Sequence, residues 1–356
     1  MPLRLTFLER VLVRFNLLPV PLLDTLLSVG IGKVLVMACE LGLFDALSEG
    51  PLALETLAER LQCSCQGLLL LLQALVLAGY LREKKGFYRN SPAARRWLIR
   101  GSALNVAPYV IHSPDITAIW DALPQVVREG RPAVRMPYED DVTEPEMAAR
   151  LERHYLGLAS LGLALGGEVV GRVRVPGDAR RLLDVGGSHA AYSVLFCRKY
   201  PRLQATVVDL QAGIEVGKGI AAQAELANRI SFVVADIVRS DFPAALPESG
   251  EYDIALYFHI AHLLPAEVNV EVLARVARTL RPGAMLVYVD QVTGHVHRSR
   301  LASLLIQFMA LTVATVGGSC YPFATVKTWL EQAGMGHVQQ HRLLTPGATL
   351  ITARKL

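Results

Sequence analysis

The sequence is poor in charged residues, which occupy only 19% of its 356 positions, whereas hydrophobic residues occupy 52%. This composition excludes an extended disordered chain, because disorder needs low hydrophobicity and a high charge. The net charge of +4 is spread along the sequence, and nucleic-acid binding needs a concentrated basic face. The length exceeds that of one typical domain, so we expect at least two packed domains.

Cysteine is also scarce, and the N-terminus lacks the short apolar core and cleavage site of a secretory signal. The five cysteines are Cys39, Cys63, Cys65, Cys197 and Cys320. An odd number at scattered positions gives no disulfide framework and fits the reducing cytoplasm. Cys63 and Cys65 alone do not supply the ligands of a zinc site. We therefore expect a cytoplasmic protein without a bound metal.

A long stretch, 301–326, contains no charged residue at all. Its length invites a comparison with a membrane span, which needs about 20 consecutive apolar residues. Gln307, Gly317, Gly318 and Pro322 interrupt it, however. We therefore predict a buried helix followed by a loop, and no association with a membrane.

The stretch 181–209, RLLDVGGSHAAYSVLFCRKYPRLQATVVD, has the order strand, glycine turn, helix, strand, acid. The turn contains Gly186 and Gly187, and Asp209 follows Asp184 by 25 residues. Turn glycines let a ligand approach the backbone, and an acid at the second strand end can accept both hydroxyls of a ribose. No Gly-x-Gly-x-x-Gly motif is present, which disfavours a dinucleotide. We predict a nucleoside-binding βαβ unit; the alternative is a turn that only connects strand and helix.

Strand and helix patterns keep alternating after Asp209, and 337–342 and 349–353 could form a terminal hairpin. This alternation predicts a doubly wound, mostly parallel sheet with helices on both faces. Polar residues fall at the predicted strand ends: Asp184, Asp209, Asp236, His259, His262 and Asp290. Ligands bind at the carboxyl ends of strands in such sheets. These residues are therefore candidates for a site, with capping of the next loop as the alternative for any one of them.

Three predicted helices and a hairpin precede this unit, a pattern typical of a winged helix. The third helix, 66–78, contains no Lys, Arg or Asn. A helix that reads the DNA major groove needs base-reading donors and nearby phosphate contacts, so DNA binding is disfavoured. Its leucines cover nearly every side, which predicts burial partly against a second subunit in a homodimer. A winged-helix regulator with a nucleoside-sensing domain is the non-enzymatic alternative.

These motifs together resemble the class I S-adenosylmethionine-dependent O-methyltransferases of the plant caffeate and bacterial polyketide type, over nearly the whole chain. The resemblance is carried by LGLFD at 41–45 with LA at 57–58, LDVGG at 183–187, VDL at 208–210, ADI at 235–237 and LRPG at 280–283. They are similar, in that order, to the dimerisation domain, the cofactor motif, the ribose and adenine segments, and the turn after the catalytic helix.

The resemblance implies a division into three regions. Residues 1–110 would form an all-α winged-helix dimerisation domain, and 111–175 a helical connector that lines the acceptor cleft. Residues 176–356 would form a Rossmann-like catalytic domain that binds S-adenosyl-L-methionine. The implied partners are a small-molecule acceptor and a second copy of the chain, with no nucleic acid.

The resemblance also implies roles for single residues. Counting back from the turn at 280–283 places His262 on the catalytic base of the family, with Asp290 on an acid beside it. The implied cofactor-binding residues are Asp184, Gly186, Gly187, Asp209, Leu210, Asp236, Ile237 and Phe258. Other members commonly have glycines at Ser188 and Ala190, and the plant members have a lysine at Phe258 and a second acid at Cys320.

The chemistry of methyl transfer to a hydroxyl agrees with a histidine base. A phenol, with a pKa near 10, keeps its proton at neutral pH. A neutral histidine, with a pKa of about 6.5, can accept that proton, which typically accelerates a reaction about 10² to 10⁴-fold. His259 and His262 compete for this role, and the spacing to the 280–283 turn favours His262. His259 would then contact the acceptor or the adenine, or only satisfy a backbone carbonyl.

The acceptor site has fewer sequence signals. Phe308, Leu311 and Thr315 have helical spacing in the uncharged stretch and would form one wall, with core packing as the alternative. An apolar wall with few polar groups suits a small, flat, hydrophobic acceptor. Methylation of a carbon or nitrogen, or a use of the cofactor without methyl transfer, is the alternative within the same fold.

Overall fold

The computed structural model describes residues 6–135, 145–247, 249–294 and 299–356. The chain divides into two compact units, Met1–Ser113 and Pro114–Leu356. The division falls inside one helix, at Pro114, where the missing N–H of proline removes a helical hydrogen bond. From Pro114 onward, the predicted connector belongs to the second unit.

The first unit combines short helices with a small antiparallel sheet. Its helices are α1 (Phe7–Arg14), α2 (Val20–Leu22), α3 (Ser28–Glu40), α4 (Leu43–Ala46), α5 (Leu54–Arg60), α6 (Cys65–Leu77), α7 (Pro92–Trp97) and the start of α8 (Ala107–Ile119), with a π-helical turn at Leu23–Leu27. Its strands are β1 (Leu52–Ala53), β2 (Leu81–Lys84) and β3 (Phe87–Asn90). They pair in the order β1-β3-β2, so the predicted hairpin gains one further strand.

Local sequence explains where these elements begin and end. Lys85 and Gly86 both have a positive φ, 56° and 80°, as a two-residue hairpin loop of the favoured hand requires. Gly42 ends α3 in the left-handed conformation, which a glycine adopts without strain. The Ser64 hydroxyl accepts the Gly67 N–H at 3.1 Å and so caps α6.

Helix α6 is buried on one face only. Leu68, Leu72 and Leu75 are buried, at the spacing of one helical face, whereas Leu70 and Leu77 are 65% and 79% exposed. Within the described residues, the continuous helical stretch Val20–Glu40 is the one helix long and apolar enough to cross a membrane.

The second unit contains a seven-stranded sheet between two layers of helices. Its helices after α8 are α9 (Leu123–Glu129), α10 (Pro145–Leu165), α11 (Gly167–Arg172), α12 (Ala191–Lys199), α13 (Gln211–Gln223), α14 (Phe242–Ala245), α15 (Ala266–Thr279), α16 (Arg300–Thr315) and α17 (Phe323–Gln332), with 3-10 turns at Trp120–Ala122 and Ala261–Leu263. Its strands are β4 (Arg181–Val185), β5 (Gln204–Asp209), β6 (Ile230–Val234), β7 (Tyr252–Phe258), β8 (Leu280–Asp290), β9 (Met335–Arg342) and β10 (Thr349–Lys355).

The strand order is β6-β5-β4-β7-β8-β10-β9. The first five strands are parallel, and β10 and β9 add an antiparallel edge. The structure thus confirms the predicted mostly parallel sheet and the terminal hairpin. The order reverses at β4, which has β5 on one side and β7 on the other, and such a reversal opens a crevice at the carboxyl ends of the strands. The glycine turn and the end of β7 both lie at this crevice.

The core lies on both faces of the sheet. All seven residues of β7 are buried, as expected for a central strand covered by helices on each side. Ile254 and Leu256 face one apolar cluster, and Ala255 and Tyr257 face the other. Burial on two faces holds the ends of β7 and β8 in fixed positions, and those ends carry the candidate site.

The structure corrects the expectation of a buried helix in the uncharged stretch. Helix α16 exists and a loop follows it, but only Ala302, Ile306, Val313 and Thr315 of this helix are buried. Leu301, Leu304 and Leu305 are exposed. After Arg300 this helix carries no charge, yet it packs with one side only, so its composition does not determine how much of it is buried.

Candidate active site

His262 and Asp290 form a buried pair at the ends of two neighbouring parallel strands. His262 lies in the 3-10 turn after β7, and Asp290 is the last residue of β8. The ring Nδ1 lies 2.6 Å from the Asp290 Oδ1, and the His262 backbone N–H donates to Oδ2 at 3.1 Å. The carboxylate thus fixes both the ring and the backbone of His262.

The charge of Asp290 determines the tautomer of His262. Burial raises the pKa of Asp290. The nearby His262 and its hydrogen bond lower this pKa, and together the lowering effects outweigh burial, so the net shift is downward. An ionised carboxylate only accepts hydrogen bonds, so Nδ1 of His262 must be the donor. When this ring carries a single proton, on Nδ1, its Nε2 keeps a lone pair and can accept a proton.

His259 lies beside this pair. Burial lowers the pKa of its ring to about 4, so the ring is neutral at physiological pH. Its Nε2 lies 3.3 Å from the hydroxyl of Tyr192, which sequence analysis did not identify. The ligand atoms of His259, His262 and Asp290 lie within 4.8 Å of one another, a cluster that could hold a metal ion. The absence of a metal therefore stays a prediction.

The glycine turn after β4 has no room for side chains. Gly186 has a φ of 67°, and a Cβ on it would lie 2.4 Å from Ile260 Cδ1. A Cβ on Gly187 would lie 2.4 Å from the carboxyl carbon of Asp184. Asp184 is buried and accepts the Ser193 hydroxyl at 2.7 Å, and its burial raises its pKa to about 7. This hydrogen bond links Asp184, at the end of β4, to Ser193 of α12.

The two departures from glycine, Ser188 and Ala190, keep a backbone that glycine would favour, with φ values of 28° and 57°. Helix α13 makes room for Ser188. A Cβ on Gly213 would lie 2.7 Å from the Ser188 Cβ, and one on Gly217 would lie 2.4 Å from the Ser188 carbonyl oxygen. The two glycines lie four residues apart in α13 and so face the turn from the same side of this helix.

Asp209 lies at the end of β5 with its carboxylate facing the glycine turn. Oδ2 accepts the Ser188 N–H at 2.8 Å, and Oδ1 accepts the Leu210 N–H at 2.6 Å. Each carboxylate oxygen accepts two hydrogen bonds, so each keeps capacity for one more donor. Burial raises the pKa of Asp209 to about 6 although both N–H groups lower it. A half-buried carboxylate with unused acceptors beside a glycine turn fits a ribose.

A cavity of about 1,230 Å³ extends from the end of this strand. Leu210 and Asp236 line it together with Leu151 and Tyr155 of α10, which sequence analysis missed. The Asp236 Oδ1 also accepts the N–H groups of the two residues that follow Ile237 and caps their turn. Predicted residues from two strand ends thus meet at one cavity.

The remaining predicted residues occupy different environments. Ile237 is partly buried, whereas Phe258 is buried in the core with its ring edge-on to that of Tyr192, at a centroid distance of 4.7 Å. Phe258 therefore packs beside Tyr192 in the core.

The three predicted residues of α16 do not share one open wall. Phe308 and Leu311 are 43% and 39% exposed, but Thr315 is fully buried and its hydroxyl bonds to the carbonyls of its own helix. Phe308 lies 5.7 Å from the ring of Trp120, whose Nε1–H donates to the Thr312 hydroxyl at 2.8 Å. Trp120 is a further apolar residue that sequence analysis did not include.

Comparison with known families decides the class of protein. Residues 23–100 match the O-methyltransferase dimerisation domain, and residues 120–334 match the O-methyltransferase domain. The chain belongs to the O-methyltransferase family. This methyltransferase uses S-adenosylmethionine as its cofactor, and its reaction is the transfer of a methyl group to a hydroxyl. The fold, the enzyme class and the cofactor that the sequence predicted are thereby confirmed.

Individual relatives show how far the likeness extends. The methyltransferase is 29% identical over 336 residues to 3-hydroxy-5-methyl-1-naphthoate 3-O-methyltransferase from Streptomyces sahachiroi, with 94% of each chain covered. It is 27% identical to the N,N-dimethyltransferase OxyT from Streptomyces rimosus, with 73% of this chain and 75% of OxyT covered. Human N-acetylserotonin methyltransferase in complex with SAM shares its fold, with a TM-score of 0.78 at 22% identity, over 95% of this chain and 98% of that one.

Proposed function

We propose that His262 is the general base of this methyltransferase and that Asp290 orients it. The contact of 2.6 Å between the His262 Nδ1 and the Asp290 Oδ1 supports this proposal most directly. It leaves Nε2 as the acceptor of the proton from the substrate hydroxyl. As the ring becomes charged, the ionised carboxylate of Asp290 stabilises it, as in other histidine–acid pairs.

We infer that the cofactor lies at the glycine turn. S-adenosylmethionine supplies a methyl group on a positively charged sulfur, ready for in-line attack by an oxygen. Asp209 would accept hydrogen bonds from the ribose hydroxyls, and Gly186 and Gly187 would let the ligand reach the backbone. The adenine would be bordered by Leu210, Asp236 and Ile237. The glycine turn would be supported on its buried side by Asp184 and Phe258. The protein contributes position and removal of a proton.

We propose a small, flat and largely apolar acceptor. Phe308 and Leu311 offer exposed apolar surface on α16, and Trp120 extends it. Similar relatives act, by their names, on a naphthoate and in the synthesis of tetracenomycin. The likeness to OxyT, named an N,N-dimethyltransferase, favours one second candidate, an amine acceptor in the same cleft. A cytoplasmic location stays a prediction.

We propose that the methyltransferase is a homodimer. The match of residues 23–100 to the dimerisation domain and the exposed leucines of α6 support this assembly. Sedimentation at micromolar concentration should show a species of twice the chain mass of 38.8 kDa. A single species at the chain mass would contradict the proposal.

One experiment tests the reaction and the acceptor class together. The protein is incubated with S-adenosylmethionine and matched pairs of flat phenols and aromatic amines, and mass spectrometry detects the gain of one methyl group. We expect methylation of the phenols and its near loss in His262→Ala. His337→Asn is the control, because it removes an exposed histidine of β9 and keeps a residue that tolerates the left-handed backbone. Methylation of the amines alone would favour the second candidate.

A further inference from the structure

His259 has a backbone conformation that is unusual for a residue with a side chain. Its φ is 57°, in the left-handed region that favours glycine. Its N–H donates to the Val289 carbonyl oxygen of β8 at 2.8 Å, which fixes the chain directly after β7. Strained conformations persist only where the surrounding structure holds them, and they cluster at ligand sites. The fold therefore imposes the position of this ring.

Tyr192 holds the ring of His259 from the start of α12. Its hydroxyl lies 3.3 Å from the His259 Nε2. Gly166, directly after α10, leaves the space for Tyr192, because a Cβ on this glycine would lie 2.8 Å from a carbon of the tyrosine ring. A Cβ on Gly162, one helical turn earlier, would lie 3.6 Å from the same ring. Packing against α10 thus fixes the hydroxyl that orients His259.

One ring nitrogen of His259 has no hydrogen bond within the described part of the chain. Within the described residues, the contact with Tyr192 is the one side-chain hydrogen bond of His259. A neutral imidazole has one donor nitrogen and one acceptor nitrogen. Since Tyr192 occupies Nε2, Nδ1 is left as a donor in one tautomer and as an acceptor in the other. A hydroxyl group can pair with either form, because it both donates and accepts.

The two histidines are close enough to contact one small acceptor. Their ring centroids lie 6.4 Å apart. Two hydrogen bonds of about 2.7 to 3.2 Å each can span this distance through two neighbouring oxygens. We propose that His259, positioned by Tyr192, binds a second oxygen of the acceptor, next to the hydroxyl that is methylated. This inference rests on the proposed function of His262 and names the substrate class: aromatic acceptors with two neighbouring oxygens.

The test compares two acceptors of the same size, 2,3-dihydroxynaphthalene and 2-naphthol. We expect the wild-type enzyme to prefer the diol by about tenfold or more in kcat/KM, since one hydrogen bond to the second oxygen separates the two acceptors. In His259→Asn the preference should fall to about twofold, because the diol has two hydroxyls that can be methylated and 2-naphthol has one. His337→Asn is a matched control, because His337 also has a left-handed backbone, with a φ of 52°.

Tyr192→Phe tests the positioning role. It removes one hydroxyl and keeps the ring that packs against α10, so the fold should persist. We expect a higher KM for the diol, an almost unchanged kcat, and little change in either constant for 2-naphthol. A purely structural role of Tyr192 would instead change the constants of both acceptors in parallel.

Calorimetry separates this inference from the proposed function. Binding of each acceptor is measured in the presence of S-adenosylhomocysteine, so that no turnover is needed. Tighter binding of the diol, lost in His259→Asn, supports the inference even for an acceptor that is not methylated. Equal affinities of the wild type for both acceptors, or a diol preference that survives in His259→Asn, would overturn it. Methyl transfer to neither acceptor, with the binding preference intact, would count against the proposed reaction alone.

Discussion

The glycine turn after β4 and the His262–Asp290 pair lie at the same edge of the sheet, but they depend on different parts of the chain. The turn depends on the backbone: Gly186 and Gly187 have no room for a side chain, while Ser188 and Ala190 adopt left-handed conformations. The pair depends on two side chains that meet at 2.6 Å.

This difference determines which substitutions each region tolerates. A turn tolerates a side chain in place of a glycine where the backbone can keep its conformation and the neighbours leave space. At Ser188 the glycines of α13 leave that space. A pair of buried side chains has no such freedom, because truncation of one partner leaves the other buried and unpaired. We therefore expect substitutions of the pair to affect turnover and substitutions of the turn to affect cofactor binding.

The largest effect is expected for His262→Ala. Turnover on an un-ionised hydroxyl should fall about 10² to 10⁴-fold while cofactor affinity stays almost normal, because the base acts only on the acceptor. The loss should shrink as the pH rises toward the pKa of the acceptor, near 10 for a phenol, since solvent then removes the proton. Activity assays from pH 6 to 10 with calorimetry of the cofactor measure both quantities. Asp290→Asn should fall between the wild type and His262→Ala.

Gly187→Ala should affect cofactor affinity, which His262→Ala leaves almost normal. A Cβ at this position would lie 2.4 Å from the buried Asp184 carboxyl carbon, so the turn must move. We expect cofactor affinity to fall by about 30-fold or more, the equivalent of roughly 2 kcal/mol of strain. Gly177→Ala is the control, because no atom lies within 4 Å of a Cβ built there. Unchanged cofactor binding in Gly187→Ala would remove the turn from the cofactor site.

Asp209 should make the affinity for the cofactor depend on pH. Asp209→Ala should weaken cofactor binding at least about tenfold through the loss of charge-assisted hydrogen bonds. Burial raises the pKa of Asp209 to about 6, so its carboxylate becomes protonated as the pH falls through 6. Wild-type affinity should therefore weaken below about pH 6, and Asp209→Asn should show a flatter profile. A dissociation constant independent of both pH and Asp209 would contradict the ribose assignment.

The smallest effect is expected for Ala190→Gly. Ala190 has a φ of 57°, and relief of a left-handed conformation should stabilise the fold by about 1 kcal/mol. Ala191→Gly is a matched control one residue later, at the start of α12, where glycine should destabilise by about 0.5 to 1 kcal/mol. Thermal unfolding distinguishes the two variants. Equal shifts in both would show that the backbone at Ala190 is not strained.

Local patterns in the sequence predicted much of the fold and part of the site. The alternation of strands and helices gives the parallel sheet, and the spacing from Asp184 to Asp209 gives the βαβ unit. Parallel strands bring their carboxyl ends to one edge, so polar residues at strand ends predict a shared site without further information. The resemblance of short motifs to the O-methyltransferases then supplied the enzyme class.

The resemblance implied an acid beside His262, but only the tertiary structure showed which of these side chains are in contact. The bond from His262 to Asp290 joins residues 28 positions apart, and the contact of His259 with Tyr192 joins residues 67 apart. Periodicity describes neighbours along one element, so it cannot report contacts that depend on how elements pack. For the same reason the composition of α16 indicated burial, whereas packing on one side left Leu301, Leu304 and Leu305 exposed.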